Sequence, residues 1–145
     1  MQKLDENFYI AGQLVAEDFS KAKELSFTII INNRPDGEEP DILSVSEAKQ
    51  LASDFNIEYL HLPMANGQPL PEDLIPSMQL ALQQVKDKNG KILAHCRTGT
   101  RSSFLWGIIQ LLEGNKTSDE VIAISSAAGI NLTGFTPILK SIESS

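Results

Sequence analysis

The chain contains a single cysteine, Cys96, which is followed within five residues by two of its three arginines. The surrounding segment is Ala94-His95-Cys96-Arg97-Thr98-Gly99-Thr100-Arg101-Ser102-Ser103. A cysteine reacts as the thiolate, which nearby positive charge and the N-terminus of a helix stabilise. Arginine presents a planar pair of N–H donors to a tetrahedral oxyanion, and loop amides can add more donors. The residue types and their spacing therefore predict an anion-binding site with a reactive thiol.

Two apolar runs flank this loop and predict the elements that hold it. Residues 91–94 have the pattern of a buried strand, and residues 104–112 that of a buried helix, which we expect to begin at about Ser102. Arg101 is predicted to bind an oxyanion, and the Ser102 hydroxyl to donate a hydrogen bond to the sulfur when the sulfur leaves as thiolate. Four intervening residues complete the predicted oxyanion-binding loop, in which the glycine lets backbone approach the ligand: Arg97, Thr98, Gly99 and Thr100.

Both Cys96 and His95 have a structural alternative. A lone cysteine at a strand end is commonly a core residue, but that role does not explain the polar and basic residues that follow it. For His95 the choice is between a zinc ligand and a residue that steadies the loop. His61 is the only other histidine, so a tetrahedral zinc site lacks ligands. We expect His95 to hydrogen-bond backbone beside Cys96, and we expect neither a metal nor a cofactor.

Strand and helix patterns alternate along the rest of the chain. Strands are predicted at 8–10, 27–31, 57–62 and 91–94, and helices at 16–25, 44–55, 74–85, 102–112, 117–128 and from 136. Capping boxes are predicted at Ser44 with Glu47 and at Thr117 with Glu120. Pro76 is expected to separate an initial turn from the helix that follows it.

This alternation predicts an α/β fold in which a central, mainly parallel sheet of four to five strands is flanked by helices. The length fits a single domain spanning residues 1–145. Ligands of such sheets bind at the carboxyl ends of the strands. Loops at 32–40, 63–71 and 96–101 leave such ends, and we expect them to converge around Cys96.

Charge and composition exclude several classes of partner. The net charge is -7 and no basic cluster lies outside the Cys96 loop, which argues against a nucleic-acid partner. The N-terminal residues lack the pattern of a signal peptide, and the longest apolar run is too short to cross a bilayer. A lone cysteine fits a reducing compartment. We therefore expect a cytoplasmic protein without a membrane partner, acting on a small anionic or phosphorylated substrate.

The arrangement of His95 and Cys96 followed by Arg101 and Ser102 resembles the phosphate-binding loop of protein tyrosine and dual-specificity phosphatases. The segment 32–38, Asn-Asn-Arg-Pro-Asp-Gly-Glu, together with this loop and Leu105-Trp106, is similar to the bacterial phosphatase-like family that occurs alone or fused within β-lactamase-hydrolase-like proteins. This resemblance covers nearly the whole chain.

The resemblance implies a protein-tyrosine/dual-specificity-phosphatase-like fold and a cysteine-dependent phosphatase for aryl or tyrosyl phosphate esters. In that chemistry Cys96 is the nucleophile and forms a phosphocysteine. Arg101 binds the oxyanion, and Ser102 assists the breakdown of the intermediate.

The sequence departs from the phosphatase pattern in two ways. Four residues, rather than five, separate Cys96 from Arg101. Where dual-specificity phosphatases carry an aspartate as general acid, this chain has Asn66-Gly67, and a positioned acid contributes about 10²–10⁴-fold to the rate. The carboxylates that lie in or near converging loops are Asp36, Glu38, Glu72 and Asp73. We rank Asp36 ahead of Asp73 as the acid. Each also has a structural explanation: Asp36 suits a turn, and Asp73 suits the start of a helix.

The shorter loop also resembles that of single-domain rhodaneses, in which a cysteine carries a persulfide. Sulfur transfer needs a thiolate and amide donors but no acid. A sulfurtransferase, or a persulfide carrier with a partner from sulfur metabolism, is therefore the second hypothesis. A non-catalytic anion-binding module is the third.

Overall fold

The computed structural model describes residues 1–145 and contains five strands and six α-helices. The strands are β1 (Gln2–Asp5), β2 (Phe8–Ala11), β3 (Ile29–Asn32), β4 (Glu58–His61) and β5 (Ile92–His95). The helices are α1 (Ala16–Glu24), α2 (Val45–Asp54), α3 (Leu74–Asp87), α4 (Thr100–Leu112), α5 (Ser118–Ala127) and α6 (Thr136–Glu143), with a 3₁₀ turn at Thr133–Phe135 before α6. None of the helices has the length and apolar content that crossing a membrane requires.

The strands form one sheet in the order β1-β2-β5-β3-β4. Only the β1–β2 pair is antiparallel, and the other neighbours are parallel. The predicted α/β class with a mainly parallel central sheet is confirmed.

Apolar side chains cover both faces of the sheet. Ile29 and Ile31 pack into a large core with α3, α4, α5 and α6, whereas Ile30 faces a smaller core with α1 and α2. Successive residues of a strand point to opposite faces, so an uninterrupted β-branched run such as residues 29–31 suits a strand that is covered on both sides.

Three local predictions need correction. The edge strand β1 was not predicted, because Leu4 is its only buried residue and one apolar position shows no periodicity. Pro76 does not separate a turn from α3: it is the third helical residue, where the missing N–H has no intrahelical partner to lose. Helix α4 begins at Thr100 instead of Ser102. Arg101 and Ser102 therefore both lie in its first turn.

The two predicted capping boxes are confirmed. The Ser44 hydroxyl accepts from the Glu47 N–H at 3.0 Å, and the Glu47 carboxylate accepts from the Ser44 N–H at 3.2 Å. Thr117 and Glu120 make the same reciprocal pair at the start of α5. These residues fix where α2 and α5 begin.

The carboxyl ends of the four parallel strands lie side by side. His95 is in register with both Ala11 and Asn32, and Asn32 is in register with His61. The loops that follow these strands therefore leave the sheet at one edge, as the sequence predicts. The loop after β2 joins them, because the Gln13 N–H donates to the Arg97 carbonyl at 3.1 Å.

Gly107 lies where α4 packs on α5, and a Cβ there would stand 2.6 Å from Cγ1 of the buried Val121. A β-branched residue in a helix has one favoured rotamer and cannot turn aside freely. Overpacking costs about 1–3 kcal/mol, against roughly 1 kcal/mol that alanine gains over glycine in a helix. We expect Gly107→Ala to lower the free energy of unfolding measured in urea.

Gly134 is the matched control, because its Cβ would meet nothing within 4 Å. We expect Gly134→Ala to leave stability unchanged or raise it. The double variant Gly107→Ala with Val121→Ala should lose less than the sum of the two single losses. A Gly107→Ala protein as stable as the parent would contradict the close packing of α4 on α5.

Candidate active site

The Cys96 loop is a tight connection between β5 and α4. Cys96 follows the last residue of β5 and is 1% exposed. Gly99 precedes the first residue of α4 with φ 96°, a left-handed conformation that glycine adopts without a steric penalty. The first N–H groups of a helix have no intrahelical acceptor. The loop therefore brings unused N–H donors to the end of β5.

These N–H groups converge on the Cys96 sulfur. The Gly99 N–H donates to Sγ at 3.1 Å. Burial raises the pKa of the Cys96 thiol, but backbone hydrogen bonds from Ser102, Thr98, Gly99 and Arg101 outweigh burial and bring the pKa below that of an ordinary cysteine. Hydrogen bonds to a charged form favour that form. The surroundings of Cys96 therefore favour the thiolate more than those of an ordinary cysteine do.

Arg101 lies beside the loop with its guanidinium held on two sides. Nη1 and Nη2 donate to the two carboxylate oxygens of Glu38 at 3.0 and 2.8 Å, and Nη1 also donates to the Met64 carbonyl at 2.9 Å. The hydrogen bonds from Arg101 lower the pKa of Glu38 to about 2, with Arg34 adding to the effect. Glu38 is therefore ionised at neutral pH and has no proton to give to a leaving group.

Arg34 is a second buried arginine behind Arg101. Its side chain is 2% exposed and donates to Glu38, to Glu39 and, at 3.0 Å, to the side-chain Oε1 of Gln13. Glu38 thus bridges two guanidinium groups. The sequence places residues 32–40 in a converging loop but does not predict this bridge. The only hint of this bridge in the sequence is that two adjacent glutamates, Glu38 and Glu39, follow Arg34 within five residues.

Asn33 ties together three of the converging segments. It is fully buried, its N–H donates to the His95 carbonyl at 2.8 Å, and its Nδ2 donates to the Leu62 carbonyl at 2.9 Å. Its Oδ1 accepts from the Ser102 hydroxyl at 2.8 Å. The Ser102 hydroxyl is therefore directed to Asn33 in this structure, and its role toward a departing thiolate stays a prediction. It is the backbone N–H of Ser102 that faces Cys96.

His95 lies under the loop, where the sequence places it. Its Nδ1 is 3.4 Å from the Cys96 carbonyl oxygen, and the side chain is buried. Burial lowers the pKa of His95 to about 4, so the imidazole is neutral at pH 7. No group of three or more His, Cys, Asp and Glu side chains is arranged to hold a metal ion.

A pocket of about 410 Å³ opens above the loop, and no carboxylate lines it. Its walls are formed by Met64, Asn66, Gly67, Arg97, Thr98, Thr100, Arg101 and Phe135. The two candidate acids lie elsewhere. Asp36 accepts a hydrogen bond from the Val45 N–H at the start of α2, and Asp73 precedes α3 and lines a separate small cleft with His61. The structure does not bring either into the pocket, and a role as general acid stays a prediction.

Comparison with known proteins identifies relatives of the whole chain. The family model for the β-lactamase hydrolase-like protein, phosphatase-like domain, matches residues 1–113. A β-lactamase hydrolase-like protein from Xylella fastidiosa is 30% identical over 129 residues, which cover 89% of this chain and 29% of that protein. The homologue from Agrobacterium fabrum is 30% identical over 134 residues, with 92% and 30% covered. The chain thus spans about three tenths of the length of these relatives.

A solved structure from Neisseria meningitidis, described as a candidate phosphatase, has a TM-score of 0.82 and 33% identity, covering 97% of this chain and 96% of its own. Tk-PTP in its active form has a TM-score of 0.77 at 16% identity, with 99% and 95% covered, a likeness of fold. The fold is that of the protein-tyrosine and dual-specificity phosphatases. The chain belongs to the phosphatase-like domain family of the β-lactamase hydrolase-like proteins.

Proposed function

We propose that this chain is a cysteine-dependent phosphatase that acts on small aryl or tyrosyl phosphate esters. The family and the fold support a phosphatase-type hydrolase. The observation that carries the mechanism is the buried sulfur of Cys96, which accepts a hydrogen bond from the Gly99 N–H at 3.1 Å and lies beside the guanidinium of Arg101. Donors that stabilise a thiolate also stabilise the oxygens of a phosphoryl group transferred to it.

The reaction has two displacements at phosphorus. The Cys96 thiolate forms an S–P bond while the ester P–O bond breaks, and the aryl oxygen leaves with the electron pair. Arg101 and the loop N–H groups bind the phosphoryl oxygens. Water then attacks phosphorus, the S–P bond breaks with its electron pair on sulfur, and inorganic phosphate leaves carrying both protons of the water. The thiolate returns to its N–H donors, among them the N–H of Ser102.

The choice of aryl esters follows from the absence of a carboxylate in the pocket. A phenol has a pKa near 10, so a phenolate departs without a proton far more readily than an alkoxide does. Glu38 cannot supply the proton, because Arg101 keeps it ionised. Activated aryl phosphates are therefore the substrates that this pocket is suited to hydrolyse.

The same lack of a carboxylate favours a second candidate function, sulfur transfer. The Cys96 thiolate would attack the outer sulfur of thiosulfate, a persulfide would form, and sulfite would leave with the electron pair of the broken S–S bond. This step needs anion-binding donors but no general acid. The four-residue spacing between Cys96 and Arg101 also fits this chemistry.

Glu38 acts as the positioning residue for Arg101. Its carboxylate meets both Nη atoms of Arg101 while also accepting from Arg34. A bidentate ion pair fixes the plane of a guanidinium as well as its place. With one edge held by Glu38 and the Met64 carbonyl, Arg101 has fewer orientations open to it when an oxyanion arrives.

Para-nitrophenyl phosphate tests the phosphatase proposal. We expect hydrolysis by the parent protein, inhibition by vanadate, and no turnover by Cys96→Ser, because the nucleophile is lost. Arg101→Ala should lower kcat by about 10²–10³-fold, as for removal of one oxyanion donor. Melting temperatures of both variants show whether they are folded. Inertness of the parent protein from pH 5 to 8 would contradict the proposal.

Thiosulfate given to the same preparations separates the three hypotheses. A mass gain of one sulfur atom in the parent protein, absent in Cys96→Ser, with no hydrolysis of aryl phosphate, would assign sulfur transfer. Failure of both reactions with a melting temperature that rises in phosphate would assign a non-catalytic anion-binding module.

We expect Glu38→Gln to lower kcat/KM for aryl phosphate by about 10²-fold, the typical effect of a small misplacement of a catalytic group. Glu38→Asp keeps the charge and should restore part of the loss. The matched control is Glu39→Gln, which affects contacts to Arg34 and Arg97 but none to Arg101, and its loss should be smaller. Equal losses in Glu38→Gln and Glu39→Gln would contradict a specific role for Glu38.

The pH dependence of stability gives a second readout for Glu38. Its pKa falls from 4.5 to about 2 on folding, so the unfolded chain binds one more proton between these values. The stabilisation is present above pH 4.5 and is lost as the pH falls toward 2. In this interval the free energy of unfolding should fall more steeply for the parent protein than for Glu38→Gln.

A further inference from the structure

An apolar groove of about 500 Å³ adjoins the pocket above the Cys96 loop. Its walls come mainly from Leu70, Phe104, Ile108, Leu112 and Ile138, and no charged side chain lines it. Leu112 and Ile138 are 55% and 50% exposed although both are large apolar residues. Contiguous exposed apolar surface of this kind commonly marks a binding site.

The groove is continuous with the anion pocket. Met64 and Phe135 line both cavities. The Met64 carbonyl accepts from Arg101, which places the junction directly beside the oxyanion-binding guanidinium. Phe135 stacks on Phe104 with ring centroids 4.4 Å apart. A phosphoryl group held at Arg101 therefore has its organic substituent next to the opening of the groove.

The two cavities differ sharply in charge. Arg97 and Arg101 line the anion pocket. The groove has no charged side chain, and Gln68 is its only polar one. A ligand that fills both needs an anionic head and an uncharged, apolar body. Charged residues that flank a phosphotyrosine in a peptide would find no partner in the groove.

We infer that the groove binds the apolar part of the substrate, and that the substrate is an amphiphilic aryl phosphate monoester with a hydrocarbon chain or ring beyond the aryl group. This inference rests on the proposed function for the position of the phosphoryl group. It names the substrate class that the aryl preference alone leaves open.

The test is the binding of n-alkylphosphonates from methyl to hexyl, measured by calorimetry below their micelle-forming concentrations. Their P–C bond is not hydrolysed, so the measurement does not depend on turnover. Burial of a methylene group stabilises by about 0.8 kcal/mol at most, so affinity should rise roughly two- to fourfold per methylene. Inorganic phosphate should compete with every member of the series. An affinity that does not depend on chain length would overturn the inference.

Two groove variants and one control locate the effect. Leu112→Gln and Ile138→Gln should each lower the ratio of hexyl to methyl affinity several-fold. The control is Leu80→Gln, because Leu80 is 73% exposed on α3 and does not line the groove, and the ratio should not change. A dimeric parent protein that both groove variants convert to monomer would assign the groove to a second copy of the chain and overturn the inference.

The outcomes for the two proposals are distinguishable. Chain-length dependence without hydrolysis of any aryl phosphate would uphold the groove and contradict the phosphatase. Hydrolysis of aryl phosphate together with phosphonate affinities that do not depend on chain length would uphold the phosphatase proposal and contradict the proposal that the groove binds the substrate.

Discussion

Burial of the Cys96 sulfur is the constraint on which the rest of the site depends. The side chain is 1% exposed, and removal from water disfavours a thiolate. Water is replaced here by backbone N–H groups of the loop and of the first turn of α4. Such donors are fixed by the fold and need no reorganisation to face a negative charge. The loop conformation, including the left-handed Gly99, therefore determines the polar surroundings of the sulfur.

A second constraint arises because two arginines are buried near this sulfur. Arg34 and Arg101 are 2% and 6% exposed, and buried cations need hydrogen-bonded counter-charges. Glu38 meets both, while the carbonyl of Met64 takes a further hydrogen bond from Arg101. These contacts join the loops after β3 and β4 to α4. The same hydrogen bonds that balance the charge of the buried arginines thus also fix the positions of the loops around Cys96 and at the opening of the apolar groove.

The sequence predicts those features that depend on local pattern. The α/β class, the two capping boxes and the convergence of loops on Cys96 follow from periodicity, cap chemistry and strand direction. The strand β1 has too few apolar residues to show a periodic pattern. The effect of Pro76 depends on where α3 begins, because proline is compatible with the first turn of a helix but not with its interior. The bridge through Glu38 and the contact of Ser102 with Asn33 join residues that are 63 and 69 positions apart. Side-chain pairing over such distances depends on packing that no local pattern encodes.

The most direct test of this account is the pKa of Cys96, measured from the pH dependence of its alkylation by iodoacetamide. Cys96 is the only cysteine of the chain, so the reaction reports on this residue alone in the folded protein. We expect a titration midpoint below that of the same cysteine in the urea-unfolded chain. Alkylation of the native protein with a midpoint at or above that of the unfolded chain would contradict the claim that loop N–H groups favour the thiolate of Cys96.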